Sequence, residues 1–153
     1  MDHQSQICLS VCTRCKPPGF SGPDHRRPGY LLAEAVLRAL RQTPAYRLVL
    51  RGVRCMSQCK RPCVLALSAP GKYTLLFGDL DPQTIAPEAA APAILTLADQ
   101  YAVSADGYVP RDRRPAPLRS GILGRIPPLG HTGDAIDETF AFPPNSFDQK
   151  ETL

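Results

Sequence analysis

Between two apolar, strand-like runs the chain inserts Cys55-Met-Ser-Gln-Cys-Lys-Arg-Pro-Cys63, nine residues that carry three of its six cysteines. Cysteines at four-residue spacing could line one face of a helix. Pro62 argues against that, because it removes a backbone donor and pushes Arg61 away from helical dihedrals. The stretch is therefore a loop, with Cys63 read as the first residue of the next strand. Cys12 and Cys15 stand at the end of another apolar run, Ile7 to Val11. A fold for this chain has to accommodate two cysteine-bearing loops, each following a strand.

The surrounding pattern supplies such a fold. Ile7 to Val11 alternates as a short strand, and Lys16 to Gly29 is rich in proline and glycine and reads as a loop. Tyr30 to Gln42 is a helix with an apolar stripe of Leu32, Val36, Ala39 and Leu40, stopped by Thr43 before Pro44. Tyr46 to Val53 is the second strand, so a right-handed crossover should join two parallel neighbours. Val64 to Ser68 and Tyr73 to Phe77 then form a hairpin about Ala69-Pro70-Gly71-Lys72, where Pro-Gly fits the middle of a type II turn. A second helix is expected from about Pro92 to Tyr101. The fold class is α/β, a β-α-β unit followed by a β-hairpin and a second helix.

Beyond Asp106-Gly107 the chain is rich in proline and arginine. The expected organisation is one cysteine-ligated domain over 1–106, an extended arm over 107–129 and a disordered acidic tail over 130–153. Ile122, Leu123, Ile126 and Leu129 are the apolar side chains expected to hold the arm on the domain. A docking element for an acidic partner is the alternative reading of the same stretch.

Charge follows this division. Residues 1–129 hold 17 Lys and Arg against 9 Asp and Glu, whereas 130–153 hold one against five. Aromatic residues are few and not interleaved with the basic ones, so nucleic acid is disfavoured. Met1 to Gln6 lacks a basic segment leading into an apolar one, and no apolar run approaches the roughly 20 residues that span a bilayer. The expectation is a cytoplasmic protein, off the membrane, in a reducing compartment where clustered cysteines serve as metal ligands or redox groups.

Four thiolates, Cys12, Cys15, Cys55 and Cys59, are the expected metal ligands. They are soft donors suited to zinc or iron-sulfur clusters, and loops following parallel strands converge at one sheet edge. Cys63 is held in reserve. Cys8 lies inside the first strand and reads as a small packed hydrophobe, an alternative donor only. A thioredoxin-type Cys-x-x-Cys would stand at a helix N-terminus, but here Pro17, Pro18 and Gly19 intervene. A zinc ribbon is a poor fit to the 39 residues between Cys15 and Cys55. His3, His25 and His131 lack metal spacing with one another, although His25 sits in the loop after Cys15. Asp79 and Asp81 read as turn and helix-cap residues.

At these residues the chain resembles the thioredoxin-like 2Fe-2S ferredoxins, in which cysteines after the first strand and a Cys-x-x-x-Cys after the second enclose a cluster. The likeness runs over roughly residues 7–101. Val-Cys-Thr-Arg-Cys, the central cysteine stretch, Ala-Pro-Gly-Lys-Tyr and Phe-Gly-Asp-Leu-Asp-Pro also resemble a family of small bacterial predicted metal-binding proteins, through Arg125-Ile-Pro-Pro-Leu129. That resemblance implies an association with cobalamin synthesis or metal handling. Two departures stand out: the first cysteine pair is closer together than in the ferredoxins, and Cys63 is additional.

The function expected is a one-electron carrier with a 2Fe-2S cluster. Arg14, Lys16, Arg54, Lys60 and Arg61 flank the ligands, favouring the reduced form and steering an acidic redox partner protein. A non-redox zinc scaffold or metal-handling module, with four cysteine ligands, is the alternative. A stand-alone catalyst ranks third, since no nucleophile with a base, no paired carboxylates and no phosphate-cradling loop is found. A hydrophobic sheet edge is compatible with a homodimer without requiring one.

Overall fold

The computed structural model describes residues 6–43 and 48–131. Five strands form a sheet in the order β2-β1-β3-β4-β5, from β1 (Ile7–Cys12), β2 (Leu48–Val53), β3 (Cys63–Ser68), β4 (Thr74–Leu80) and β5 (Ile122–Ile126). β1 runs parallel to β2, and the remaining pairs are antiparallel. This is the thioredoxin-like α/β arrangement expected from the sequence. No helix among the described residues is long and apolar enough to cross a membrane.

Helix α1 (Pro28–Arg41) connects β1 to β2 and starts two residues before the expected Tyr30. Proline at the first helical position costs no hydrogen bond there, and its fixed φ suits the first turn. Gln42 closes the helix by donating to the carbonyls of Ala39 and Leu40. Pro44, expected to stop it, and the first two residues expected in β2 lie outside the described residues, as does most of the acidic tail.

Helix α2 (Pro87–Val103) begins well before Pro92, again with proline in its first turn. Pro92 stands inside it. The Glu88 carbonyl that Pro92 cannot bond belongs to an exposed residue near the helix start, where water can satisfy it, and the helix continues. Leu32, Ala35 and Val36 of α1 meet Ile94, Leu97, Ala98 and Tyr101 of α2 over Leu9, Val11, Leu65, Leu67, Leu75 and Phe77 of the sheet. The β3–β4 hairpin turns at Pro70-Gly71 as expected, with Gly71 at a φ of +72° and the Lys72 amide donating to the Ala69 carbonyl at 3.2 Å.

The arm after Gly107 is more structured than the extended segment expected. It makes two short 3-10 turns, Arg111–Arg113 and Ala116–Leu118, and then adds β5 to the β4 edge. Of the four expected anchors, Ile122 and Leu123 pack on the core, whereas Ile126 and Leu129 are exposed. Val109, Leu118 and Arg114 hold the arm instead, all buried. The Arg114 guanidinium lies 5.8 Å from the Phe77 ring centre and donates to the carbonyls of Val109 at 3.0 Å and Arg119 at 3.4 Å. Those carbonyls compensate a cation that has no carboxylate partner among the described residues.

Candidate metal centre

The parallel register pairs Cys12 with Val53, so β1 and β2 end level with each other. Thr13 locks the two ends, its amide donating to the Val53 carbonyl at 2.8 Å and its hydroxyl to the same oxygen at 3.2 Å. The two cysteine loops therefore leave the sheet side by side. β3 contributes from the opposite direction: Val11 faces Leu65 in the antiparallel register, so two residues further on Cys63 stands level with Thr13. Its position as first residue of β3 is as the sequence indicated.

α1 closes the site from its N-terminus. Its Gly29 donates to the Cys15 carbonyl at 3.0 Å, and a methyl group built on Gly29 would stand 2.1 Å from the Cys12 carbonyl oxygen and 3.0 Å from the Cys15 Cβ. The long proline-containing loop thus returns the helix to the cysteine pair, although in sequence the two are separated. Distance along the chain argues against a helix start beside Cys12 and Cys15; the tertiary path supplies one.

The six cysteines are all free thiols. Cys12, Cys15 and Cys63 are buried at 3%, 1% and 0% exposure, whereas Cys55 and Cys59 are exposed on their loop. Cys8, in the middle of β1, is half-buried and lies 3.9 Å from the Ser10 hydroxyl, away from the other thiols. The buried three belong to one packed cluster. Cys63 beside Cys15 holds the Cys15 thiol down at about 6 against the opposing effect of burial, and Cys12 and the Val64 amide also favour its thiolate. Cys63 is pushed up, first by Cys15 and then by burial, and Cys12 is raised by burial.

The Ser57 amide lies 3.4 Å from the Cys55 sulfur and is presented from a left-handed φ of 57°. An amide directed at sulfur stabilises thiolate and tunes the potential of iron-sulfur centres. Met56, beside Cys55, packs against the cluster that contains Cys12 and Cys15 and ties the second loop to the first.

Among the described residues, no three His, Cys, Asp or Glu side chains are arranged as they stand to hold a metal ion. Cys12, Cys15 and Cys63 are buried, and Cys55 and Cys59 are exposed. The donor set still fits a thiophilic metal in kind: three buried thiols and an adjacent loop carrying two further thiols. Such a metal would be held by the buried thiols together with a thiol of the 55–59 loop. His25 stays exposed in a 3-10 turn and lines a cleft of about 270 Å3 with Thr13, Arg14, Asp24, Tyr30 and Arg54.

Of the five cations expected to flank the ligands, two are paired with acids. Asp24 pairs with Arg14 and, at 2.8 Å, with Arg27; Asp79 pairs with Arg61 through two contacts, one at 2.7 Å. Asp24 lies 10 residues from Arg14 and Asp79 lies 18 from Arg61, separations that local reading does not reach. Arg61 holds the Asp79 carboxyl below its usual range, and Arg14 does the same to Asp24. Lys16, Arg54 and Lys60 make no ion pair among the described residues. Asp81 organises a turn as expected, accepting from the Gln83 amide at 2.9 Å.

Among solved structures, the chain superposes on a thioredoxin-like 2Fe-2S ferredoxin from Aquifex aeolicus with a TM-score of 0.51 and 16% identity, covering 81% of this chain and 96% of that one. A crystal structure of the wild-type thioredoxin-like 2Fe-2S ferredoxin from Aquifex aeolicus gives a TM-score of 0.47 at 16% identity, covering 77% and 96%. No curated protein matches. The first likeness is one of fold. Residues 9–128, most of the chain and all of its cysteines except Cys8, match a family model, and the chain belongs to the family described as protein of unknown function (DUF1636).

Proposed function

We propose that this protein is a small 2Fe-2S electron carrier. The observation that carries the reading is placement: β1, β2 and β3 bring the buried Cys12, Cys15 and Cys63 to one end of the sheet, beside the exposed loop of Cys55 and Cys59. Thiols gathered in this way suit a thiophilic metal or an iron-sulfur cluster. The 2Fe-2S cluster for which the Aquifex ferredoxins are named supports the choice of group. When bound, such a cluster stores one electron.

The chain's own residues would do the rest. Cys12, Cys15, Cys55 and Cys59 are the expected ligands, with Cys63 in reserve. The first turn of α1 fixes Cys12 and Cys15, while Lys16, Arg54 and Lys60 offset the added negative charge and face an acidic partner protein. All six thiols are free, in keeping with a reducing, cytoplasmic setting. The service to cobalamin or metal metabolism rests on the resemblance of the sequence motifs.

The test is the visible spectrum, iron and sulfide content of anaerobically purified protein, before and after dithionite. A brown protein with about two iron and two sulfide per chain, bleaching on reduction, is expected. A colourless protein holding about one zinc would overturn the reading and leave a zinc scaffold held by four cysteines.

A further inference from the structure

We infer that Cys63, and not Cys59, is the fourth ligand of the centre. The metal set is then Cys12, Cys15, Cys55 and Cys63, and Cys59 remains a free, solvent-facing thiol. The inference rests on the metal-centre reading above and changes its ligands.

Three observations carry it. The first is placement. Cys63 is fully buried, stands level with Thr13 between Cys12 and Cys15, and belongs to the same packed cluster as those two residues. The start of β3 is therefore already built into the thiol group, as the register requires. Cys59 is exposed, and no hydrogen bond to its sulfur is found among the described residues.

The second is rigidity. The chain just before Cys63 is pinned to β4: the Arg61 carbonyl accepts the Asp79 amide at 3.0 Å, and the Arg61 guanidinium grips the Asp79 carboxylate. Gly78 permits that approach, since a methyl group there would stand 2.5 Å from the Arg61 oxygen. Moving Cys63 out of the site would break these contacts, whereas a metal forming there finds its thiol in place.

The third concerns the loop. Cys55 is exposed like Cys59, yet its neighbour Met56 packs against the buried cluster that contains Cys12 and Cys15, and its own sulfur lies 3.4 Å from the Ser57 amide. A small inward movement hinged at Met56 brings Cys55 to the buried three. Four thiols then close the site, and the fifth is surplus.

Differential alkylation separates the two ligand sets without any mutation. The native protein as purified is treated with iodoacetamide before and after removal of its metal by acid and chelator, and the modified cysteines are located by peptide mass spectrometry. Because Cys55 and Cys59 are both exposed in the polypeptide, only metal can protect either. The expected result is Cys59 reacting at a similar rate in both samples, with Cys55 slowed at least tenfold in the loaded one. Protection of Cys59 by the metal, or equal reactivity of Cys55 and Cys59 in the loaded protein, would overturn the inference.

Cys59→Ser is further expected to keep its iron, sulfide and visible spectrum, while Cys63→Ser loses them. Should Cys63→Ser fail to fold, the alkylation pattern of the unaltered protein still decides. Iron, sulfide and zinc measured on the same samples report separately on the 2Fe-2S reading: zinc in place of iron would sink that reading while leaving the pattern of protected thiols to judge the ligands.

Discussion

Replacing Gly29 by alanine tests the link between helix packing and the metal centre, because two effects of opposite sign compete there. Alanine favours the helical state over glycine by about 1 kcal/mol in a helix interior and by less in a first turn, so propensity alone would stabilise Gly29→Ala. The added methyl group would stand 2.1 Å from the Cys12 carbonyl oxygen and 3.0 Å from the Cys15 Cβ. Ordinary contact requires about 3.4 Å, so either the helix start or the Cys12–Cys15 loop must retreat by roughly 1 Å; such overpacking typically costs about 1–3 kcal/mol. The retreat also strains the 3.0 Å bond from Gly29 to the Cys15 carbonyl. Sterics win, and a net destabilisation of about 1–2 kcal/mol is expected by urea unfolding of the anaerobic protein, together with reduced metal content. Gly124→Ala is the control, since the space around that glycine is open. It should leave both quantities nearly unchanged. If Gly29→Ala proved as stable as the parent and carried full metal, the close seating of α1 on the cysteine loop would be refuted.

Three further outcomes are expected. Lys60→Gln should lower the midpoint potential in a redox titration, because Lys60 has no ion pair among the described residues, whereas the double change Arg61→Gln with Asp79→Asn removes one charge of each sign and should leave it near the parental value; a Lys60→Gln potential equal to the parent's would count against the electrostatic role. Tyr101→Phe deletes a buried hydroxyl that donates to the Tyr73 carbonyl at 2.7 Å and should cost about 1–2 kcal/mol. Burial pushes the Tyr101 phenol up to about 12, so between pH 10 and 12 the unfolded chain loses a proton that the folded chain keeps. Stability therefore falls with rising pH in that window, and the fall should be shallower in Tyr101→Phe by chemical denaturation; parallel curves would refute the assignment. Arg114→Met keeps the bulk over Phe77 but loses donors to the Val109 and Arg119 carbonyls, and should lower stability by about 2 kcal/mol and speed proteolysis within residues 107–120.

The parts of this fold that can be read from the residues are those governed by local pattern. β1, α1 and β2 declare themselves through two-residue and helical periodicity, and Pro70-Gly71 fixes the hairpin by the φ that only its second residue adopts easily. β5 escapes such reading because an edge strand bonded only to β4, with Ile122 and Leu123 as its apolar contacts, needs little alternation, and its Arg and Pro neighbours mask what there is. The early start of α2 escapes it because a proline in the second turn is tolerated where the carbonyl it orphans faces water. The site shows the same division. Position at or just beyond a strand end marks all five candidate cysteines, but Gly29, Asp24 and Asp79 reach the site only through the tertiary path.

That path divides the site into a fixed half and a movable half, with a consequence for how it can be filled. Cys12, Cys15 and Cys63 are held by β1, β3 and the first turn of α1, elements whose stability comes from the core and not from a metal. Burial raises the Cys12 thiol, Cys15 and then burial raise the Cys63 thiol, and Cys15 is the most readily ionised of the three. Oxidants and wandering metals reach such thiols poorly, because reactivity follows thiolate character together with exposure. Cys55, by contrast, lies exposed on a loop whose Met56 packs against the core. A fold of this kind is expected to form without metal, unlike a zinc finger, whose folding energy is the binding energy. Metal should raise the unfolding temperature only through preferential binding to the folded chain, while its largest local effect falls on residues 55–59. Hydrogen exchange of the loaded and unloaded protein measures this directly: protection gained mainly in that loop fits a preformed site closed by one segment, whereas protection gained across β1, β3 and α1 would mean that the metal builds the core itself.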